Sequence, residues 1–136
     1  IKGPDMSIKR TLQPPHWPRP KGYANGIEAE GHFLFLAGQI GWDENGDFPH
    51  KDLPGQFDQC LKNIMEILAQ AEASSEQIVR MTWFVVDMEA YRSTPRELGR
   101  IYREHMGQHF PTMSVIGVSE LVEKEALIEI EVTAVL

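Results

Sequence analysis

The sequence has 136 residues, of which 42% are hydrophobic and 24% charged, so it has the composition of one globular domain rather than of a disordered chain. It contains no apolar run near the roughly 18 residues of a membrane span and does not open with a signal peptide. The formal net charge of -7 argues against a nucleic-acid binder, and the single cysteine, Cys60, excludes an internal disulfide and favours a cytoplasmic location.

The first 22 residues are predicted to be an extended N-terminal arm, and residues 23–136 a single domain. Residues 1–5 precede Met6 and are set aside from the fold argument. Four prolines between positions 14 and 20 disfavour a helix or an inner strand there. The arm is either a polyproline ligand for a partner or a lead-in whose Trp17 packs on the domain, and we favour the second interpretation.

The first half of the domain is predicted to contain a strand and a helix. Residues 32–37 are apolar on both faces, which predicts a strand covered on both sides, closed by Gly38 and followed by a turn at Asn45-Gly46. Residues 54–72 carry apolar side chains at spacings of three and four, as an amphipathic helix does. Cys60 lies on the apolar side of that helix, so we expect a packing role rather than a nucleophile.

The second half is predicted to be strand, helix, strand, strand. Residues 78–86 are β-branched and aromatic. Thr94-Pro95-Arg96-Glu97 has the pattern of a capping box with proline at the first helical position, and Gly107 marks the end of that helix. Strands are predicted over residues 113–118 and 126–135.

This order predicts an α+β architecture, a mixed sheet with two helices on one face. The other face of the sheet has nothing in the chain to cover it. Because an uncovered apolar face is usually buried by self-association, we expect a homo-oligomer.

Most motifs that carry chemistry are missing from the sequence, which has no phosphate-binding glycine loop, no paired-cysteine metal motif and no nucleophile elbow. His105 and His109 are four residues apart, as metal ligands on one helical face would be, but Gly107 lies between them at the predicted helix end. We therefore predict neither a metal nor a cofactor.

The last two predicted strands carry a more specific pattern. Pro111-Thr112-Met113-Ser114 precedes an apolar strand, and Ile128-Glu129-Ile130-Glu131 follows after a short connection. Residues 37–40 (Ala-Gly-Gln-Ile), 56–63 and 79–87 add further matches in order and spacing. Over roughly residues 23–135 the sequence thus resembles the Rid family, also called the YjgF or L-PSP family.

The resemblance implies a chorismate-mutase-like fold and a homotrimer, with the sheets forming a central barrel and ligand clefts at the subunit interfaces. It implies that Glu129 is the catalytic residue and acts on water. It also implies a ligand-binding role for six residues, namely Tyr23, Gly38, Gln39, Met113, Ser114 and Val115.

One position departs from the family pattern. Family members that hydrolyse 2-imino acids to 2-keto acids and ammonia hold the substrate carboxylate with an arginine, and this chain has Met113 at that position. A methionine supplies no charge and no donor, so burying a carboxylate there would be costly. It is about as compatible with plain strand packing as with ligand contact.

Three functions follow from the resemblance. The first is a hydrolase of an imine, enamine or related labile bond whose substrate is not the usual 2-imino acid. The second is a non-catalytic small-ligand-binding or scaffold trimer. RNA cleavage is the third and is disfavoured by the net charge. Four arginines near the second helix are expected to be solvated, although one could replace the missing carboxylate clamp; they are Arg92, Arg96, Arg100 and Arg103.

Overall fold

A computed structural model describes residues 7–136, so the segment 1–5 that was set aside above lies outside the described residues. The elements in chain order are β1 (Ile8–Leu12), β2 (Gly26–Ala29), β3 (Phe33–Ile40), α1 (Leu53–Gln70), β4 (Ile78–Val85), α2 (Met88–Ser93), α3 (Pro95–Met106), β5 (Thr112–Gly117) and β6 (Ile128–Val135). A single 3-10 turn, Ser75–Gln77, leads into β4. The mixed α+β architecture predicted from the sequence is confirmed.

Four strands form the main sheet in the order β3-β6-β4-β5. Strand β6 pairs antiparallel with both β3 and β4, whereas β4 and β5 are parallel. The parallel pair requires a crossover, which α2 and α3 supply. Strands β1 and β2 form a separate antiparallel pair.

The core lies between one face of this sheet and helices α1 and α3. The buried face of α1 presents Phe57, Cys60, Leu61 and Ile64, all fully buried, at the helical spacing seen in the sequence. Among residues 7–136, no helix is long and apolar enough to cross a membrane.

Gln56 is the one fully buried polar side chain of α1. Its Nε2 donates to the carbonyl oxygens of His50 (3.2 Å) and Glu125 (2.9 Å), and its Oε1 accepts from the Leu127 N–H at 2.7 Å. These bonds satisfy backbone groups that would otherwise be buried without partners, and they fix the segment that leads into β6.

Two local expectations were wrong. The predicted capping box of α3 does not form, because Thr94 Oγ1 donates instead to the Ala90 carbonyl oxygen at 2.9 Å, closing the preceding helix α2. Trp17 does not pack on the domain, since 59% of its surface is exposed. The arm also contributes a strand, β1, which pairs with β2.

The sheet face opposite the helices is uncovered in the single chain, as the sequence predicted. Phe33 and Phe35 on this face are 58% and 76% exposed, and Ile116 on β5 is 44% exposed. Between them lie polar side chains of β4 and β6, including Arg80 and Glu131. We call this surface the open face.

Candidate functional site

Glu129 lies on the open face, because its neighbours Ile128 and Ile130 on β6 point into the core. Its half-buried carboxylate packs directly on the backbone of Gly38. A Cβ atom at position 38 would lie only 2.5 Å from Glu129 Oε2 and 2.6 Å from its Cδ. A glycine at this position is therefore what allows the carboxylate to occupy its place.

The approach of β3 to Glu129 depends on a bulge. The pairing of β3 with β6 shifts register between Leu36 and Gln39, and Ile40 is then the partner of Glu129. Gln39 Nε2 donates to the Ala37 carbonyl oxygen at 3.0 Å and borders a shallow groove next to Trp42. Among the described residues, Gln39 has no side-chain hydrogen bond to the Glu129 carboxylate.

The predicted residues of β5 divide between the two faces of the sheet. Met113 and Val115 pair with Met81 and Trp83 of β4 and so point toward the helices. Ser114 pairs with Thr82 and points to the open face. Met113 lines a cavity of about 430 Å³ between β4, β5, α2 and α3, which we call the helix-side cavity.

Tyr23 lies near the beginning of β5 but outside the helix-side cavity. The next residue, Ala24, donates its N–H to the Pro111 carbonyl oxygen at 3.0 Å and forms a bridge with Thr112. The Tyr23 side chain is 40% exposed and lines a larger, open cavity of about 950 Å³ beside β1 and β2. Phe110 borders both cavities, so they are neighbours.

The predicted site residues therefore form two separate groups in one chain. Glu129 and Gly38 lie together on the open face, with Ser114 on that same face two strands away. Met113 lies on the helix side, with Tyr23 near its strand's start. The helix-side cavity does not include Glu129, so a single chain does not bring the carboxylate and Met113 together.

Trp83 lines the helix-side cavity, and no sequence motif marks it as anything but a strand residue. It is only 4% exposed, and its indole Nε1 has no hydrogen-bond partner among the described residues. Its ring packs against Phe57, Tyr91 and Tyr102 at centroid distances of 4.8, 6.4 and 6.2 Å. A tryptophan in a strand predicts burial, and only the fold shows that it borders a cavity.

Two tyrosines of this cavity stay neutral. Burial raises the pKa of both Tyr91 and Tyr102 above the ordinary value. The Tyr102 hydroxyl donates to the His109 carbonyl oxygen at 2.6 Å. These rings therefore add aromatic surface and no negative charge to the cavity wall.

Cys60 has the packing role predicted for it. It is fully buried, and its thiol contacts the Ile128 carbonyl oxygen at 3.8 Å. Burial, assisted by the negative charge of Glu129, raises the pKa of the thiol, so the reactive thiolate is disfavoured.

The two histidines considered as metal ligands have separate structural partners. His105 Nε2 lies 2.7 Å from Asp58 Oδ1 on α1, and His109 Nε2 lies 2.7 Å from the Ile78 carbonyl oxygen. Within residues 7–136 no three His, Cys, Asp or Glu side chains are grouped as metal ligands.

Comparison with known proteins gives a consistent result. A family model described as Endoribonuclease L-PSP matches residues 18–136. The RutC family protein PH0854 of Pyrococcus horikoshii is 34% identical over 129 residues, 93% of this chain and 98% of that protein. The Escherichia coli protein TdcF, whose name makes it a candidate reactive intermediate deaminase, is 29% identical over 117 residues, 83% of this chain and 85% of its own.

Solved structures agree with this match. A Yersinia pestis protein, YyfB, described as a Rid-family protein of unknown function, superposes with a TM-score of 0.79 at 33% identity, covering 93% of this chain and 98% of its own. The chain therefore belongs to the Endoribonuclease L-PSP family, which is the YjgF or Rid family identified from the sequence.

Proposed function

We propose that this protein is a Rid-family hydrolase of an imine, enamine or related labile bond, whose substrate differs from the usual 2-imino acids. The observation that carries the proposal is the pair of sites described above. A carboxylate, Glu129, packs against the backbone of Gly38, whereas the position of the family arginine is an apolar residue, Met113, in the wall of a cavity.

In this proposal Glu129 acts as a general base. Water adds to the carbon of the C=N bond, with its proton accepted by the carboxylate. A new C–O bond forms, the C–N bond breaks, and the nitrogen leaves as ammonia after the proton is returned. Glu129 is half-buried and next to backbone, so it can bind a water molecule without being fully solvated.

We further propose that the complete site forms between chains of a homotrimer. Glu129 and Met113 lie on opposite faces of the sheet, so one chain alone cannot place both against one small ligand. The exposed Phe33 and Phe35 give the open face an apolar surface that association would bury.

The proposed role of Glu129 is tested by Glu129→Gln, with Glu131→Gln as the matched control on the same strand and face. The probe is the imine formed in place from benzylamine by a flavin amine oxidase, and the readout is the rate of ammonia release above the spontaneous rate. We expect Glu129→Gln to remove most of the acceleration, by roughly 10²-fold or more, and Glu131→Gln to retain it. Equal effects of the two substitutions would contradict the assignment of Glu129.

A non-catalytic, small-ligand-binding trimer is the second candidate. The separation of Glu129 from the helix-side cavity supports this alternative, since a ligand bound in the cavity has no general base beside it within the same chain. No acceleration by the wild type with any imine, together with measurable ligand binding, would support this alternative.

A further inference from the structure

The charges around the helix-side cavity contrast with those of the whole protein. The chain has a net charge of -7, yet every charged residue that lines this cavity is cationic: Lys21 from the arm, Arg92 from α2 and Arg103 from α3. The cavity is therefore a local site of positive potential on an acidic protein.

The three cations differ in whether a carboxylate pairs with them. Arg92 forms an exposed ion pair with Glu89 at 3.2 Å, which is weak because both side chains are solvated. No carboxylate within residues 7–136 lies within ion-pairing distance of Arg103. Arg100, on the same helix, is paired with Glu104 at 2.7 Å and does not line the cavity. Lys21 is likewise unpaired among the described residues, but Arg103 projects from α3 and its Nη1 lies over Gly99 of the cavity wall, 3.3 Å from where a Cβ at that position would be. Arg103 is therefore the cation best placed to bind an anion here.

The rest of the cavity is apolar and largely aromatic. Leu98, Met113 and Phe110 contribute apolar surface, and Trp83 and Tyr102 contribute buried rings. The Nε1 of Trp83 is itself buried, so Trp83 contributes ring surface rather than a hydrogen-bond donor to the cavity. A cavity of about 430 Å³ accommodates a ligand the size of a substituted benzene ring.

We propose that the helix-side cavity binds an aromatic monocarboxylate, with the carboxylate at Arg103 and the ring against Trp83 and Met113. The guanidinium supplies a bidentate partner for the carboxylate, and the aromatic walls supply the apolar contact. The proposal rests on the proposed function only in placing a ligand beside Met113, since binding does not require turnover.

This arrangement selects against other ligand classes. Organic cations are repelled by Lys21, Arg92 and Arg103. Short aliphatic 2-imino acids carry a carboxylate but no group large enough to contact the apolar wall. A neutral aromatic compound contacts the wall but gives Arg103 no anion to bind.

The test is isothermal titration of the full chain with three probes: phenylacetate, its uncharged analogue phenylacetamide, and acetate. We expect phenylacetate to bind at least about tenfold more tightly than either analogue. Arg103→Gln should weaken phenylacetate binding by roughly tenfold and leave phenylacetamide unchanged. The matched control is Arg100→Gln, which should behave as the wild type does.

A second variant, Trp83→Phe, replaces the indole with a smaller ring, and we expect a several-fold loss of binding that phenylacetate and phenylacetamide share, because both lose contact with the aromatic wall. The proposal is overturned if phenylacetate does not bind the wild type, if phenylacetamide binds equally well, or if Arg103→Gln and Arg100→Gln have equal effects. Binding without imine hydrolysis would contradict the proposed function alone, and hydrolysis without phenylacetate binding would contradict this inference alone.

Discussion

At the scale of single residues, a half-buried contact between His105 and Asp58 joins helices α3 and α1. Asp58 is 47 residues from His105 along the chain, so only the packing of α1 on α3 brings the two side chains together.

Asp58 gives a pH-dependent prediction. Burial tends to raise its pKa, but the hydrogen bond from His105 and the neighbouring Lys62 outweigh burial and hold the pKa below its ordinary value. A carboxylate with a lowered pKa in the folded state stabilises the fold above its unfolded pKa, and this stabilisation is lost as the pH falls through the folded pKa.

We therefore expect Asp58→Asn to lower the free energy of unfolding by about 1 kcal/mol at pH 7, with the difference from wild type shrinking as the pH falls through the lowered pKa of Asp58. Urea unfolding measured at several pH values checks this. Glu66→Gln, an exposed carboxyl on α1, serves as the control and should change stability little at any pH. A difference independent of pH would show that the ionised carboxylate is not what stabilises the fold.

At the scale of elements, long periodic segments were predicted well and short ones were missed. Helix α1 was predicted over 54–72 and observed over Leu53–Gln70, because its apolar spacing persists for five turns. Helix α2 was missed, since six residues give too little periodicity and its start depends on Asp87 accepting from the Ala90 N–H. Strands β1 and β2 were missed because they are short and neither contains a fully buried residue.

Strand β3 shows why part of the candidate site could not be predicted from the sequence. Gly38 was predicted to end the strand, whereas the strand continues to Ile40 through the bulge. The resemblance indicated that Gly38 and Glu129 belong to one site. The close packing of the carboxylate on that glycine comes from the register of β3 on β6, which no local pattern encodes.

This packing predicts a specific coupling. Gly38→Ala should destabilise the fold by about 1–3 kcal/mol, because the added methyl group overlaps the Glu129 carboxylate. The same substitution in a Glu129→Ala background should be nearly neutral, since the overlapping atoms are gone. Chemical denaturation of the single and double variants measures this coupling.

Gly117→Ala is the control for the effect of alanine itself, because a Cβ there would meet only Met88 Cε at 3.4 Å. Additive effects of Gly38→Ala and Glu129→Ala would contradict the contact.

At the scale of the whole molecule, the uncovered sheet face was predicted from the order of elements and is present. The face was predicted to be apolar, whereas the observed face combines exposed Phe33 and Phe35 with polar residues such as Arg80 and Glu131. The number of chains in the assembly comes only from the family resemblance, because periodicity reports which face is buried and not what buries it.

The proposed assembly is tested by Phe35→Lys. We expect the wild type to sediment at three times the 15.5 kDa mass of one chain, and the variant to dissociate because the lysine places a charge where the apolar surface is buried. Sedimentation velocity at micromolar concentration measures both. Val122→Lys is the control, on a side chain that is 96% exposed in the β5–β6 connection, and should leave the mass unchanged. A monomeric wild type would contradict the assembly.

We propose that Met113, at the position of the family arginine, changes the substrate class while the rest of the site is retained. The most direct test is the release of ammonia and 2-keto acid from 2-aminoacrylate, formed in place from serine by a dehydratase, with the wild type and with Met113→Arg. We predict no acceleration by the wild type and clear acceleration by the variant, abolished when Glu129→Gln is added. Equal acceleration by the wild type and Met113→Arg would contradict the claim.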